Sequence, residues 1–351
     1  MSQSMQSFAM SIVVCAGLIC GAGALLGQQP ESPAAAGEDI PVIKVSSELV
    51  LVDALVENKR TGQLLGDLEA GDFEVLEDGA PQTVSYVGRD QLPLSIVFLF
   101  DLTETVQPVL KQLAQGASLI LDHLKPQDEV SVMVFSSHTE VVQGFTLRRV
   151  STEAAIDQAA DKKTKDGTFI HEDMYEAIDQ AMQSTVPQSR RVMVWLTDGT
   201  SNLENSHTQK TIGKEGPAHL HSKEEATDKL LRSGVVVSAL IERSAATDAL
   251  VGVMDATPLV FFAGARIGDI EKYAELTGGP VLKTNKTGVA TRLAELLDAI
   301  RSRYTLGYRP ASAPGGGFHK VEVRLTPEAY RKHPEWKKSE IGIRAQSGYY
   351  R

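Results

Sequence analysis

Apolar positions along the chain follow two different periods, and the change between them divides it. From about Pro41 to Asp90 the pattern is that of strands. Ser46–Val56 alternates loosely, Asp72–Glu77 alternates well, and Gln82–Val87 follows an Asp78-Gly79 pair. Successive strand side chains point to opposite faces, so alternation marks a half-buried strand, and Asp-Gly between two such runs marks a hairpin. From Leu94 to about Tyr304 short continuous apolar runs replace the alternation: Leu94–Phe100, Val130–Phe135, Val192–Leu196 and Val235–Ile241, with shorter strands at Thr139–Gly144 and Val281-Leu282. Between them the period predicts helices over Val106–Leu124, Thr152–Ala160, Ile170–Gln183, Lys223–Ser233, Asp269–Thr277 and Thr291–Arg303, the fifth stopped by Gly278-Gly279. Continuous apolar runs are strands buried on both faces, and their alternation with helices implies an α/β fold with a parallel sheet covered on both faces. Alternation returns at Tyr304–Tyr308, Phe318–Leu325 and Ile341–Arg344.

Neither flank is long enough to bury a robust core alone. Residues 41–90 and 305–351 are therefore expected to pack together as a small β-sandwich, with the α/β domain of residues 91–304 set between them. The start of the chain differs from both. Phe8–Leu26 is apolar and rich in small residues, and a polar, Ala- and Pro-rich stretch follows. Residues 1–27 read as a signal peptide or an uncleaved anchor and residues 28–40 as a linker, although no Lys or Arg precedes Lys44. The protein is then expected to be exported, to the periplasm or beyond. Both cysteines, Cys15 and Cys20, lie in this leader, which leaves the rest of the chain without disulfides, thiol nucleophiles or cysteine-based zinc sites. The formal net charge of −10 argues against nucleic acid or an anionic membrane surface as partner, because phosphate binding needs a cationic patch.

Chemistry concentrates where two apolar runs end in acids. Ile96–Phe100 ends in Asp101-Leu102-Thr103-Glu104-Thr105, and Arg191–Leu196 ends in Thr197-Asp198-Gly199. Open α/β sheets bind ligands at the carboxyl ends of their strands. A carboxylate with two hydroxyls at alternate positions is a hard-oxygen set suited to Mg²⁺, Mn²⁺ or Ca²⁺. Gly167-Thr168 supplies a further hydroxyl ahead of the Ile170 helix.

The order Asp-x-Thr-x-Thr, Gly-Thr, Thr-Asp-Gly resembles the metal-ion-dependent adhesion site of von Willebrand factor A domains, whose usual first motif is Asp-x-Ser-x-Ser. Here both serines are Thr, and Glu104 stands where Gly is common. The resemblance implies a doubly wound, mostly parallel α/β sheet in which Asp101, Thr103, Thr105, Thr168 and Asp198 hold one divalent cation. It further implies a non-enzymatic module in which an Asp or Glu of a partner protein completes the coordination. The flanking Asp72–Gly79, Tyr304–Pro310 and Gly348–Tyr350 segments are similar to those of secreted von Willebrand A proteins of acidobacteria.

Other features are weaker. Glu104 reads as a solvated loop acid or a neighbour of the cation. Glu172 and Asp173 suit the first turn of a helix, where the dipole favours acids. The Thr200–Ser222 loop carries His207, His219 and His221 beside the expected site and is suited to ligand selection. Ala249–Phe262 reads as core or an apolar patch. Two alternatives stay open. One is a metal-free scaffold. The other is a Mg²⁺-dependent phosphotransferase with Asp101 as nucleophile, although Leu102 stands where such a loop carries lysine. Neither Gly-x-Ser-x-Gly nor a phosphate-binding Gly-rich loop is present.

Overall fold

The computed structural model describes residues 49–164, 167–199, 220–242, 269–310 and 316–351. The leader, the linker, His207, His219 and Ala249–Phe262 lie outside the described residues. Fourteen strands are described: β1 (Val50–Asn58), β2 (Phe73–Glu77), β3 (Ala80–Gln82), β4 (Val84–Arg89), β5 (Leu94–Asp101), β6 (Glu129–Phe135), β7 (Thr139–Thr146), β8 (Arg190–Thr197), β9 (Val236–Glu242), β10 (Val281–Thr284), β11 (Tyr304–Tyr308), β12 (Phe318–Leu325), β13 (Ile341–Ala345) and β14 (Gly348–Tyr350). The helices are α1 (Gln107–Gln115), α2 (Ala117–Leu121), α3 (Arg149–Asp161), α4 (Ile170–Met182), α5 (Lys223–Ser233), α6 (Asp269–Thr277), α7 (Val289–Arg301) and α8 (Pro327–Lys332).

The central sheet runs β10-β9-β8-β5-β6-β7, parallel except for β7. Every residue of β5 is buried, because helices cover both faces. Ile96, Phe98 and Phe100 pack with α1, α2, α3 and α7, while Val97 and Leu99 pack with α4, α5 and α6. This is why the strand reads as a continuous apolar run. The chain leaves β5 toward β6 and returns on its other side with β8. The order of winding therefore reverses at β5, which opens a crevice at the carboxyl ends of β5 and β8.

The single helix expected over Val106–Leu124 is two helices, interrupted at Gly116, where a Cβ would lie 2.5 Å from the Cβ of Ala290 on α7. Close approach of α7 decides the break. The run Gln82–Val87 also divides. β3 pairs with β2 across the Asp78-Gly79 hairpin, whose residues take positive φ (50° and 82°), whereas β4 pairs with β11 in another sheet.

Two four-stranded antiparallel sheets, β13-β1-β11-β4 and β14-β12-β2-β3, lie outside the parallel sheet. Their inner faces share one core: Val52, Ala54 and Val56 from β1, Phe73 and Val75 from β2, Tyr304 and Leu306 from β11, and Val321, Val323 and Leu325 from β12. Ala54 pairs with Tyr304 and with Ala345, so strands from both ends of the described chain interleave.

A buried polar seam joins this sandwich to the amino edge of the parallel sheet. Arg190, at the start of β8, donates to the Ile300 carbonyl, to Thr305 Oγ1 and to Asp53. Arg303 is fully buried and donates to the carbonyls of Gly278, Thr277 and Asp53. Burial lowers its guanidinium to about 10.

Candidate metal centre at the carboxyl edge of the sheet

Strand β5 carries Asp101 to the crevice and ends there. Thr103 turns the chain: its carbonyl accepts the N–H groups of Val106 and Gln107 as α1 begins, and Pro108 sits in the first turn, where no N–H is needed. The turn folds the Thr103 N–H back onto Asp101 Oδ1 at 2.8 Å. The hydroxyls of Thr103 and Thr105 lie 3.2 Å apart, and Thr105 Oγ1 donates to Asp198 Oδ2 at 2.5 Å. On the neighbouring strand, Thr197 Oγ1 donates to Asp101 Oδ2 at 2.8 Å. Asp101, Thr103, Thr105 and Asp198 thus form one hydrogen-bonded cluster with Thr197.

Thr168, the fifth residue expected there, is fully buried one position ahead of Phe169, the N-cap of α4. The N-cap position itself is taken by Phe169, so Thr168 stands one residue ahead of the cap. Helix α4 runs back toward the start of β8, which places its first residues at the same carboxyl edge. Glu104 is exposed, as a solvated loop acid should be. Glu172 and Asp173 differ from the expectation of simple first-turn acids: both are buried, and Glu172 accepts from the backbone N–H of His221 and lies 2.9 Å from its ring Nδ1.

The electrostatics of the site centre on Asp101. Asp101 is fully buried, and no lysine or arginine among the described residues is ion-paired with it. Desolvation, followed by the nearby Asp198 carboxylate, pushes its carboxyl up to about 7 despite bonds from Thr103 and Thr197. Burial and Asp198 likewise raise Glu242, the last residue of β9. Glu242 was overlooked in the sequence, yet its signal is the one that marks Asp101 and Asp198, an apolar run ending in an acid. Thr197 was also passed over as a binding residue. A threonine at the end of a β-strand is ordinary, and only the pairing of β5 with β8 shows its hydroxyl meeting Asp101.

The donor set fits a divalent cation. It consists of carboxylate and hydroxyl oxygens only, and a cation would place positive charge beside the buried Asp101 carboxylate. When bound, such an ion offers a Lewis-acidic point to an anionic group.

Residues 95–251 match the family model described as von Willebrand factor type A domain. The match covers neither flanking β segment, so the likeness of the flanks to acidobacterial proteins has no further support. No curated protein matches the chain. Among solved structures, BatB from Bacteroides thetaiotaomicron is 15% identical, with a TM-score of 0.39 over 59% of this chain and 97% of that one. The von Willebrand factor domain of the type V pili tip protein from Porphyromonas gingivalis is 8% identical, with a TM-score of 0.39 over 60% of this chain and 95% of that one. Proximal thread matrix protein 1 from the mussel byssus, described with a zinc-occupied adhesion-site motif, is 15% identical, with a TM-score of 0.40 over 60% of this chain and 48% of that one.

Proposed function

We propose that this chain, whose residues 95–251 form a von Willebrand factor type A domain, is an exported, non-enzymatic protein-binding module that recognises a partner through a divalent cation. Asp101, Thr103, Thr105, Thr168 and Asp198 hold the cation, Mg²⁺, Mn²⁺ or Ca²⁺ by the hardness of the donors. An Asp or Glu on an extracytoplasmic protein completes the coordination. Domains of this family are in general interaction modules rather than enzymes.

The observation that carries the reading is the buried Asp101 carboxyl, raised to about 7 beside Asp198 and bridged to it through threonine hydroxyls. Burying the Asp101 carboxyl next to a second acid costs stability, and a cation held by both would offset that cost. Export is supported by the apolar leader in the sequence. Among the described residues no helix is long and apolar enough to cross a membrane.

Calorimetric titration of the chain with Mg²⁺ and Mn²⁺, beside Asp101→Ala, tests this. Saturable one-site binding that the substitution removes without unfolding the protein is the expected result. No binding up to millimolar cation would sink the proposal in favour of a metal-free scaffold.

A further inference from the structure

Three ligand-bearing side chains meet at the far end of the sandwich, in the antiparallel sheet β14-β12-β2-β3. Phe73 and Val75 of β2 face the sandwich core, and the same alternation aims the next residue of that face, Glu77, into it. Glu77 is 3% exposed. Opposite, Val321, Val323 and Leu325 are the inward residues of β12, and the same parity turns His319 inward beside Glu77. Asp78 follows Glu77 into the hairpin. His319 Nδ1 lies 2.9 Å from Asp78 Oδ2 and 4.0 Å from Glu77 Oε1. One ligand atom from each of the three residues falls within 4.8 Å of the other two.

The surroundings orient both carboxylates. Glu77 Oε2 accepts two hydroxyls, from Tyr308 at 2.7 Å and from Tyr349 at 2.8 Å, while Oε1 is the oxygen turned toward His319. Asp78 Oδ1 accepts the N–H of Lys320 at 2.9 Å, while Oδ2 is the oxygen turned toward His319. In each acid, groups from outside the trio hold one oxygen and the other points at the same imidazole nitrogen. Outer partners that fix carboxylate ligands in this way are a regular part of metal sites.

We propose that Glu77, Asp78 and His319 form a second divalent-cation site, separate from the crevice at Asp101 and suited to a borderline ion such as Zn²⁺. The donor set of one imidazole and two carboxylates is of the kind zinc accepts, with a further position left for solvent. In a tetrahedral zinc site neighbouring N and O ligands stand about 3.3 Å apart. The observed separations, 2.9 Å from His319 to Asp78 and 4.0 Å from His319 to Glu77, lie on either side of that value, so a small rotation of exposed Asp78 together with a shift of the His319 ring would admit the ion. Bound there, zinc joins the β2–β3 hairpin to β12, two parts of the chain separated by the whole α/β domain. It replaces the proton-dependent His319–Asp78 pair with a coordinate link.

Calorimetry with ZnCl₂ on the full chain carrying Asp101→Ala, which disables the crevice, tests the site. Saturable binding of one equivalent is expected, with a rise in the thermal midpoint. His319→Gln and Asp78→Asn should each weaken it at least tenfold, and circular dichroism should show both variants folded. In an otherwise unchanged chain, His319→Gln should leave the Mg²⁺ titration as it was. Zn²⁺ bound equally well by His319→Gln and Asp78→Asn, or no Zn²⁺ bound in the Asp101→Ala chain, would overturn the proposal. Asp78 is exposed and lies in a turn, so its variant remains informative even if His319→Gln fails to fold.

Discussion

The hydroxyl of Thr197 donates to Asp101 Oδ2 at 2.8 Å while accepting the N–H of Gly199 at 3.1 Å. One side chain therefore ties the acid at the end of β5 to the loop that carries Asp198. Thr197 does not need to touch a cation to matter: it sets where Asp101 points.

Replacing Thr197 by Val keeps the shape and removes both bonds. The expected result is a loss of roughly tenfold in Mg²⁺ affinity and of about 1–2 kcal/mol in stability. Thr197→Ser should restore most of both. Calorimetry and urea denaturation of the pair measure this, and a serine variant as poor as valine would remove the hydroxyl from the explanation.

Cation affinity should depend on pH through Asp101. A metal needs the carboxylate, and the carboxyl of the folded, metal-free protein sits at about 7. Affinity should rise about tenfold per pH unit up to that value and then level, with a proton released on binding below it. Stability without metal should run the other way. The native carboxyl holds its proton above the ordinary carboxylate range, so this group's contribution is fully present at low pH and is lost as pH rises through about 7. Titrations between pH 5 and 8 in two buffers of different ionisation enthalpy would reveal both slopes.

Asp198→Asn should abolish cation binding and lower the Asp101 midpoint, because the neighbouring charge is the second cause of its elevation after burial. Carbon-13 NMR of the aspartate carboxyls follows that midpoint directly. An unmoved Asp101 resonance would mean that burial acts alone.

Arg303→Ala should cost about 1–3 kcal/mol or more, since it leaves the Gly278, Thr277 and Asp53 carbonyls without their buried donor. Denaturant unfolding gives the value. A loss below 1 kcal/mol would mean that water enters the seam and satisfies them.

Gly278 takes a positive φ of 68°, and a Cβ there would stand 2.4 Å from the backbone of Ala345 on β13. Gly278→Ala should therefore lose more than the roughly 1 kcal/mol that positive φ alone demands, because α6 must be pushed off the sandwich. Thermal unfolding measures it, and a loss of only 1 kcal/mol would show that Ala345 yields.

Burial on both faces made β5 and β8 legible, because it leaves an unbroken apolar run whose end is marked by an acid. Asp101, Thr103, Thr105 and Asp198 could be placed together for that reason. Glu242 was equally legible by the same sign. Features that depend on distant partners were not. The break at Gly116 is imposed by Ala290, the split of Gln82–Val87 between two sheets is imposed by β2 and β11, and the use of Thr197 follows from the register of β8 against β5. Glu77 lies between these cases. An acid that keeps the inward parity of Phe73 and Val75 is a visible anomaly in the strand, but its partners Tyr308, His319 and Tyr349 come from more than two hundred residues away.

The pairing of Ala54 with Tyr304 spans 250 positions. During synthesis at about 5–20 residues per second, β1 must wait roughly 12–50 s for its first partner. Its apolar face, Val50, Val52, Ala54 and Val56, is for that interval an open edge able to pair with any extended chain. Asp53 and Glu57 interrupt the strand with charge and act as guards against aggregation while it waits. The parallel sheet has no such delay, since its strands find neighbours nearer in the chain. The order of synthesis is thus written into the topology: every described strand of the parallel sheet is made before β11, β12, β13 and β14, which the sandwich needs for completion.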